Sequence, residues 1–124
     1  MSMELLYKAI DEAKKSPIHK QFFFYCIAVR NDGAEVHGTN HYSKSQRIPS
    51  HHAEARTIKK CDMGSIMYVA RVLRDKKTIA NARPCKFCQS LIKNKSIKKV
   101  YFTFSSTTYG IWVPEKDIWA EYNF

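Results

Sequence analysis

Four side chains in this sequence are spaced for metal chemistry. His52 stands two residues before Glu54 in Pro49-Ser50-His51-His52-Ala53-Glu54, and Cys85 and Cys88 sit three apart in Arg83-Pro84-Cys85-Lys86-Phe87-Cys88. One imidazole and two thiols are borderline-to-soft donors that suit zinc. Three protein ligands are the count of a catalytic zinc site, which leaves the fourth position to water; structural sites close all four. Glu54 need not be a ligand. Helix side chains two apart do not face one another, so it is better placed beside the metal's water than on the metal. Two thiolates, a neutral imidazole and Zn²⁺ sum to zero charge, and such a metal can acidify its water toward pKa ~7. A structural zinc would need a fourth ligand, with His51 the first candidate and His37 and His41 the next.

Those residues need two helix starts to hold them. Pro49-Ser50 sets one, with Ser50 as N-cap, His52 on the first turn and the helix running to about Lys60. The other begins near Cys85, so that both cysteines lie on its first turn with their sulfurs on one face. A helix N-terminus carries a partial positive charge, which favours the thiolates that zinc requires.

Around them the pattern is of strands and helices in alternation. Leu5, Leu6, Ala9, Ile10 and Ala13 predict a helix over Met3–Lys14 that Ser16-Pro17 stops. Gln21–Arg30 reads as a buried strand, Asn31-Asp32-Gly33 as a turn and Glu35–Gly38 as the returning strand of a hairpin. Thr39–Arg47 is a polar loop. Ile66–Leu73 alternates as a third strand, and Val100–Phe104 is a fourth. Only Ser105–Tyr109 separates it from Gly110–Val113, too short a link for a parallel crossover, so the fifth strand is expected antiparallel. Pro114-Glu115 opens a last short helix in which Ile118 and Trp119 pack down. The expected fold is a three-layer α/β/α sandwich on a five-stranded mixed sheet.

The chain's 124 residues suit a single domain, 1–124, with one modest core. Hydrophobic content of 44%, with seven tyrosines, seven phenylalanines and two tryptophans, excludes a disordered tail. No apolar run nears the roughly 20 residues that span a bilayer, and the first residues lack the basic start of a secretory signal. A Cys-x-x-Cys outside a secreted context favours metal or redox use, and Cys26 and Cys61 read as free thiols in a cytoplasmic protein. The net charge of +10 suits nucleic acid, an anionic nucleotide or simple solubility, and the lysines form no block of five or six.

His-x-Glu followed by Pro-Cys-x-x-Cys is the signature of zinc deaminases acting on cytosine or adenine. Over nearly its whole length the chain resembles the cytidine and deoxycytidylate deaminase superfamily. The resemblance implies Zn²⁺ held by His52, Cys85 and Cys88, with Glu54 the catalytic proton shuttle between the attacking water, the ring N3 and the departing ammonia. It implies substrate contacts from Asn40, in Gly38-Thr39-Asn40, and from Ala53, Arg83 and Pro84. Arg83 would lie at the site mouth and could meet a phosphate, with a surface ion pair as the preferred reading. Tyr109 and Trp112 could stack on a base, or simply pack a hairpin or subunit interface. An antiparallel fifth strand resembles the free-nucleoside branch. Free cytidine deaminases, however, carry Asn-x-Glu and usually a cysteine as first ligand, where this chain has Asn40-His41-Tyr42 and His52, as deoxycytidylate and polynucleotide deaminases do. The expected reaction is deamination of cytosine in a free nucleoside or nucleotide, by a protein that forms a homo-oligomer. The alternative is a cytosine or adenosine deaminase of single-stranded DNA, RNA or tRNA. A third reading, a silent zinc-stabilised binding module, leaves Glu54 without a purpose.

Overall fold

Leu6, Ala9, Ile10 and Ala13 recur at helical spacing, and all four are buried along α1 (Met3–Lys14). Glu4 in its first turn and Lys14 in its last complement the helix dipole. The computed structural model describes residues 3–15, 23–40, 52–75 and 77–124. The expected stop at Ser16-Pro17, most of the polar loop and the Ser50 cap lie outside them.

β1 (Phe23–Val29) and β2 (Glu35–Thr39) form the expected hairpin. Gly33, at φ 88, takes the left-handed conformation that closes it, and the Ala34 N–H donates to Asp32 Oδ1. After α2 (Ala53–Ile58), the chain runs through β3 (Ile66–Val72), β4 (Ile79–Ala80), α3 (Lys86–Asn94) and β5 (Lys99–Thr103) to β6 (Thr108–Val113) and β7 (Ile118–Asn123). The sheet order is β2-β1-β3-β5-β6-β7, with β4 paired to β3. Among the described residues only β3 and β5 run parallel, and the chain between them supplies α3 as the crossover such a pair needs. β6 runs antiparallel to β5, as the short link requires.

Alternation along the strands gives the sheet two apolar faces. Ile27, Ala70 and Val72 meet Ala9, Ile10 and Ala13 of α1, and Leu6 packs with Tyr68 and Tyr101. On the other face Cys26, Met67, Val69, Val100 and Trp112 pack with Ala53 and Ile58 of α2 and Ile92 of α3. These are the three layers expected.

Among the described residues the sheet has seven strands, not the five expected. β4 is two residues long and is held by Arg71 and Val72 of β3, a partner no local pattern announces. β7 replaces the expected last helix. Asp117 takes a left-handed φ of 52 after Pro114-Glu115-Lys116, which ends the helical turn at once, and its N–H donates back to Pro114 O. Trp119 then pairs with Trp112 across β6–β7, the two indoles stacked 4.6 Å apart.

Candidate metal and catalytic site

His52 is the N-cap of α2 and Cys85 the N-cap of α3, both in extended backbone. The helices thus begin one residue after these ligands, and α2 starts at Ala53 where the sequence suggested Ser50. Neither side chain is used to cap its helix. Instead they turn toward each other. His52 Nδ1 lies 3.5 Å from Cys85 Sγ and 3.7 Å from Cys88 Sγ, and the three donor atoms all fall within 4.8 Å of one another. Tetrahedral zinc, with Zn–N about 2.0 Å and Zn–S about 2.3 Å, separates nitrogen from sulfur by roughly 3.6 Å. The donor set fits zinc in kind, number and spacing.

Burial pushes the Cys88 thiol well up, and the Glu54 carboxylate and Cys85 push the same way, against a hydrogen bond with the Ala55 backbone. A positive ion among these groups is what turns such a buried thiol into a ligating thiolate. Glu54, on the first turn of α2, is buried. Burial raises its carboxyl above the ordinary range, while its own backbone N–H and His52 act in the opposite sense. Its charge also raises the thiols of Cys88 and of Cys26 in the core. Cys26 and Cys61 are buried free thiols, as expected.

Close packing sets how near α2 lies to β2. A Cβ on Gly38 would stand 2.2 Å from Thr57 Oγ1, so glycine is what lets the helix lie against β2. Asn40 is buried, and its side-chain oxygen accepts the Phe24 N–H at 3.1 Å, which ties the end of β2 to β1. Ala53 and Pro84 are buried near the ligands, and Arg83 is exposed. It makes no ion pair among the described residues, and its Cζ lies over Trp119, 3.9 Å from the ring centroid.

Two residues the sequence reading passed over hold the loop that carries Cys85. Gln89 Nε2 donates to Pro84 O at 2.8 Å. Thr103 Oγ1 donates to Ala80 O at 2.8 Å, and Thr103 O accepts the Ala82 N–H at 2.8 Å. Thr103 acts from a separate strand, so no local signal marks it, whereas Gln89 reaches back from α3 to the loop just before it.

Other expectations change. Trp112 is fully buried in the core, so it offers no face to a base. Tyr109 packs on the α1 side of the sheet, away from the ligands, stacked with Tyr122. His37 bonds Tyr25 Oη and Glu35 and is not in the cluster. His51 and His41, the other candidate fourth ligands, lie outside the described residues.

The family model of the cytidine and deoxycytidylate deaminase zinc-binding region matches residues 2–104. The chain belongs to this family. No curated protein is similar enough to the chain to count as a match. In this deaminase-family chain His52, Cys85 and Cys88 are positioned as potential ligands for the zinc of that region. The matched region stops just after β5, so the hairpin of β6 and β7, with the indole under Arg83, lies beyond it. Among the described residues no helix of the deaminase is long and apolar enough to cross a membrane.

Proposed function

We propose that this deaminase hydrolyses the exocyclic amine of cytosine in a free cytidine or deoxycytidine, or in its nucleotide, giving uracil and ammonia. The observation that carries the reading is Glu54: a buried carboxylate two residues beyond one zinc ligand and electrostatically coupled to another. A purely structural metal site has no use for it.

Zinc supplies the Lewis acidity that brings a water's pKa down toward ~7. The chain does the rest. Glu54 takes a proton from the water as its oxygen attacks C4, delivers that proton to N3, and passes another to the leaving amine, so that water and cytosine become uracil and ammonia. Burial keeps bulk water from short-circuiting these transfers. Asn40, Ala53 and Pro84 form the wall of the substrate site, and Arg83 stands at its mouth. The antiparallel β5–β6 hairpin supports a monomeric substrate, through its likeness to the free-nucleoside branch. The reading is of one catalytic domain over 1–124, cytoplasmic and self-associating.

One observation favours the second reading, action on a single strand. A groove of about 460 Å³ at the β2 edge is lined by Arg56, Lys59, Lys60 and His37, in a chain of net charge +10. Ammonia release from cytidine, deoxycytidine, their monophosphates, adenosine and a cytosine-containing oligonucleotide separates the two. Turnover of a monomer that is indifferent to salt is expected. Strand binding would weaken with salt at a log–log slope of about −0.7 per phosphate. Conversion confined to the oligonucleotide replaces the first reading with the second.

A further inference from the structure

β7 ends the sheet with an open edge. Its residues, Ile118–Asn123, pair with β6 in one unbroken register and include no proline and a single charge, Glu121. The Phe124 N–H donates to Thr107 O, so by alternation Trp119, Glu121 and Asn123 turn their own N–H and C=O groups away from β6. Among the described residues no side chain bonds those backbone groups. The other edge is covered. At β2, Lys60 Nζ donates to His37 O at 2.6 Å and Arg56 to Thr39 O at 3.3 Å. Natural proteins blunt a sheet edge by such cover, by proline or by charge, and an edge left long and regular is a template for another strand.

What this edge offers is complementary to itself. Antiparallel pairing with a second β7 about a two-fold axis at Ala120 sets Trp119 opposite the partner's Glu121 and Ile118 opposite the partner's Tyr122. The first pair is outward-facing and can exchange both backbone hydrogen bonds. The second brings together two side chains that are 53% and 47% exposed. Charge matches too. Arg83 lies over Trp119 and lines a hollow with Glu121, yet neither makes an ion pair among the described residues. Side chains directly opposite stand about 5 Å apart at Cβ, so each Arg83 comes within reach of the partner's Glu121. Moving the axis to Trp119 or to Glu121 would instead oppose Glu121 to the partner's Asp117 or to the partner's Glu121, like charge against like.

We propose that β7 is a dimerisation strand: two copies of the chain join edge to edge about Ala120, continuing one sheet into the other, and Arg83 of each pairs with the partner's Glu121. The inference deepens the self-association in the reading above and rests on it. β7 lies outside the matched residues 2–104, so this surface belongs to the chain's own C-terminal hairpin.

The test is sedimentation velocity of the zinc-loaded chain over a dilution series, for the native sequence and for Arg83→Glu, Glu121→Arg and Glu121→Pro. The native chain should sediment as a dimer that dissociates on dilution. Each charge reversal should raise the dissociation constant at least about tenfold, because both ion pairs then become repulsive. Glu121→Pro should do the same by removing an outward N–H without touching the bonds to β6. An equimolar mixture of Arg83→Glu and Glu121→Arg should dimerise again with nearly native affinity, since both pairs re-form across the interface with their signs exchanged. A change confined to one chain's own fold would not respond to mixing. Should a reversal fail to fold, the dissociation constant of Glu121→Pro decides. A native chain that stays monomeric refutes both the inference and the self-association it rests on. An oligomer that these variants leave intact, or that mixing the folded reversals does not restore, leaves self-association standing and overturns this surface.

Discussion

His52 Nδ1 and Cys85 Sγ lie 3.5 Å apart, although each residue begins a different helix. Their approach requires α2 and α3 to start side by side over the same face of the sheet. A metal bridging them therefore links the two helices.

It follows that the ligands support the fold as well as the chemistry. Cys85→Ala and Cys88→Ala should each lose zinc and lower the thermal midpoint, because metal binding is coupled to folding. His52→Ala should do the same, while His51→Ala should keep its metal. Zinc per chain and the unfolding temperature check this together. Retention of zinc by His52→Ala would put the ligand register in error.

Glu54→Gln should lower turnover by at least about 100-fold, the scale of a lost general acid–base group. It should still hold one zinc per chain by metal analysis, because the carboxylate handles protons. Loss of zinc in this variant would make Glu54 a ligand and sink its proposed role.

Gly38→Ala tests how closely α2 must lie on β2. The added methyl would meet Thr57 Oγ1 at 2.2 Å and the Ala53 carbonyl at 3.1 Å, so the helix has to lift. A loss of about 1–3 kcal/mol in urea unfolding is expected, typical of overpacking. Turnover should fall as well, since Glu54 and His52 ride on that helix. An unchanged midpoint would show that the contact is easily relieved.

Asp75 gives a pH dependence of known sign. The Thr78 hydroxyl, followed by the Thr78 and Lys77 backbone N–H groups, holds its carboxyl down at about 2, from an ordinary 3.8. The folded value lies below the unfolded one, so its contribution is complete above about pH 4 and fades as pH falls toward about 2. Asp75→Asn should therefore be less stable than the native chain at neutral pH, and the gap should narrow on acidification. Urea midpoints measured at several pH values for both chains decide it; a gap that stays constant would exclude the linkage.

Much of the molecule is legible without its coordinates, because the signals are local. The bounds of α1 follow from Leu6, Ala9, Ile10 and Ala13, whose spacing alone defines a buried face. His52, Glu54, Cys85 and Cys88 announce zinc chemistry because ligand type and spacing are local properties. The antiparallel β6 follows from a link too short to cross over. Tertiary structure decides what depends on distant partners. Pro114-Glu115 is as good a helix start as any, and only Asp117 in its left-handed turn, bonded to both indoles, makes the end of the chain a strand. β4 exists because Arg71 and Val72 leave an edge for it. Arg83 looks like any surface arginine until Trp119 lies beneath it. Short-range pattern names the reactive groups and the helices that begin beside them; pairing across the sheet, which no local window contains, determines how they are held.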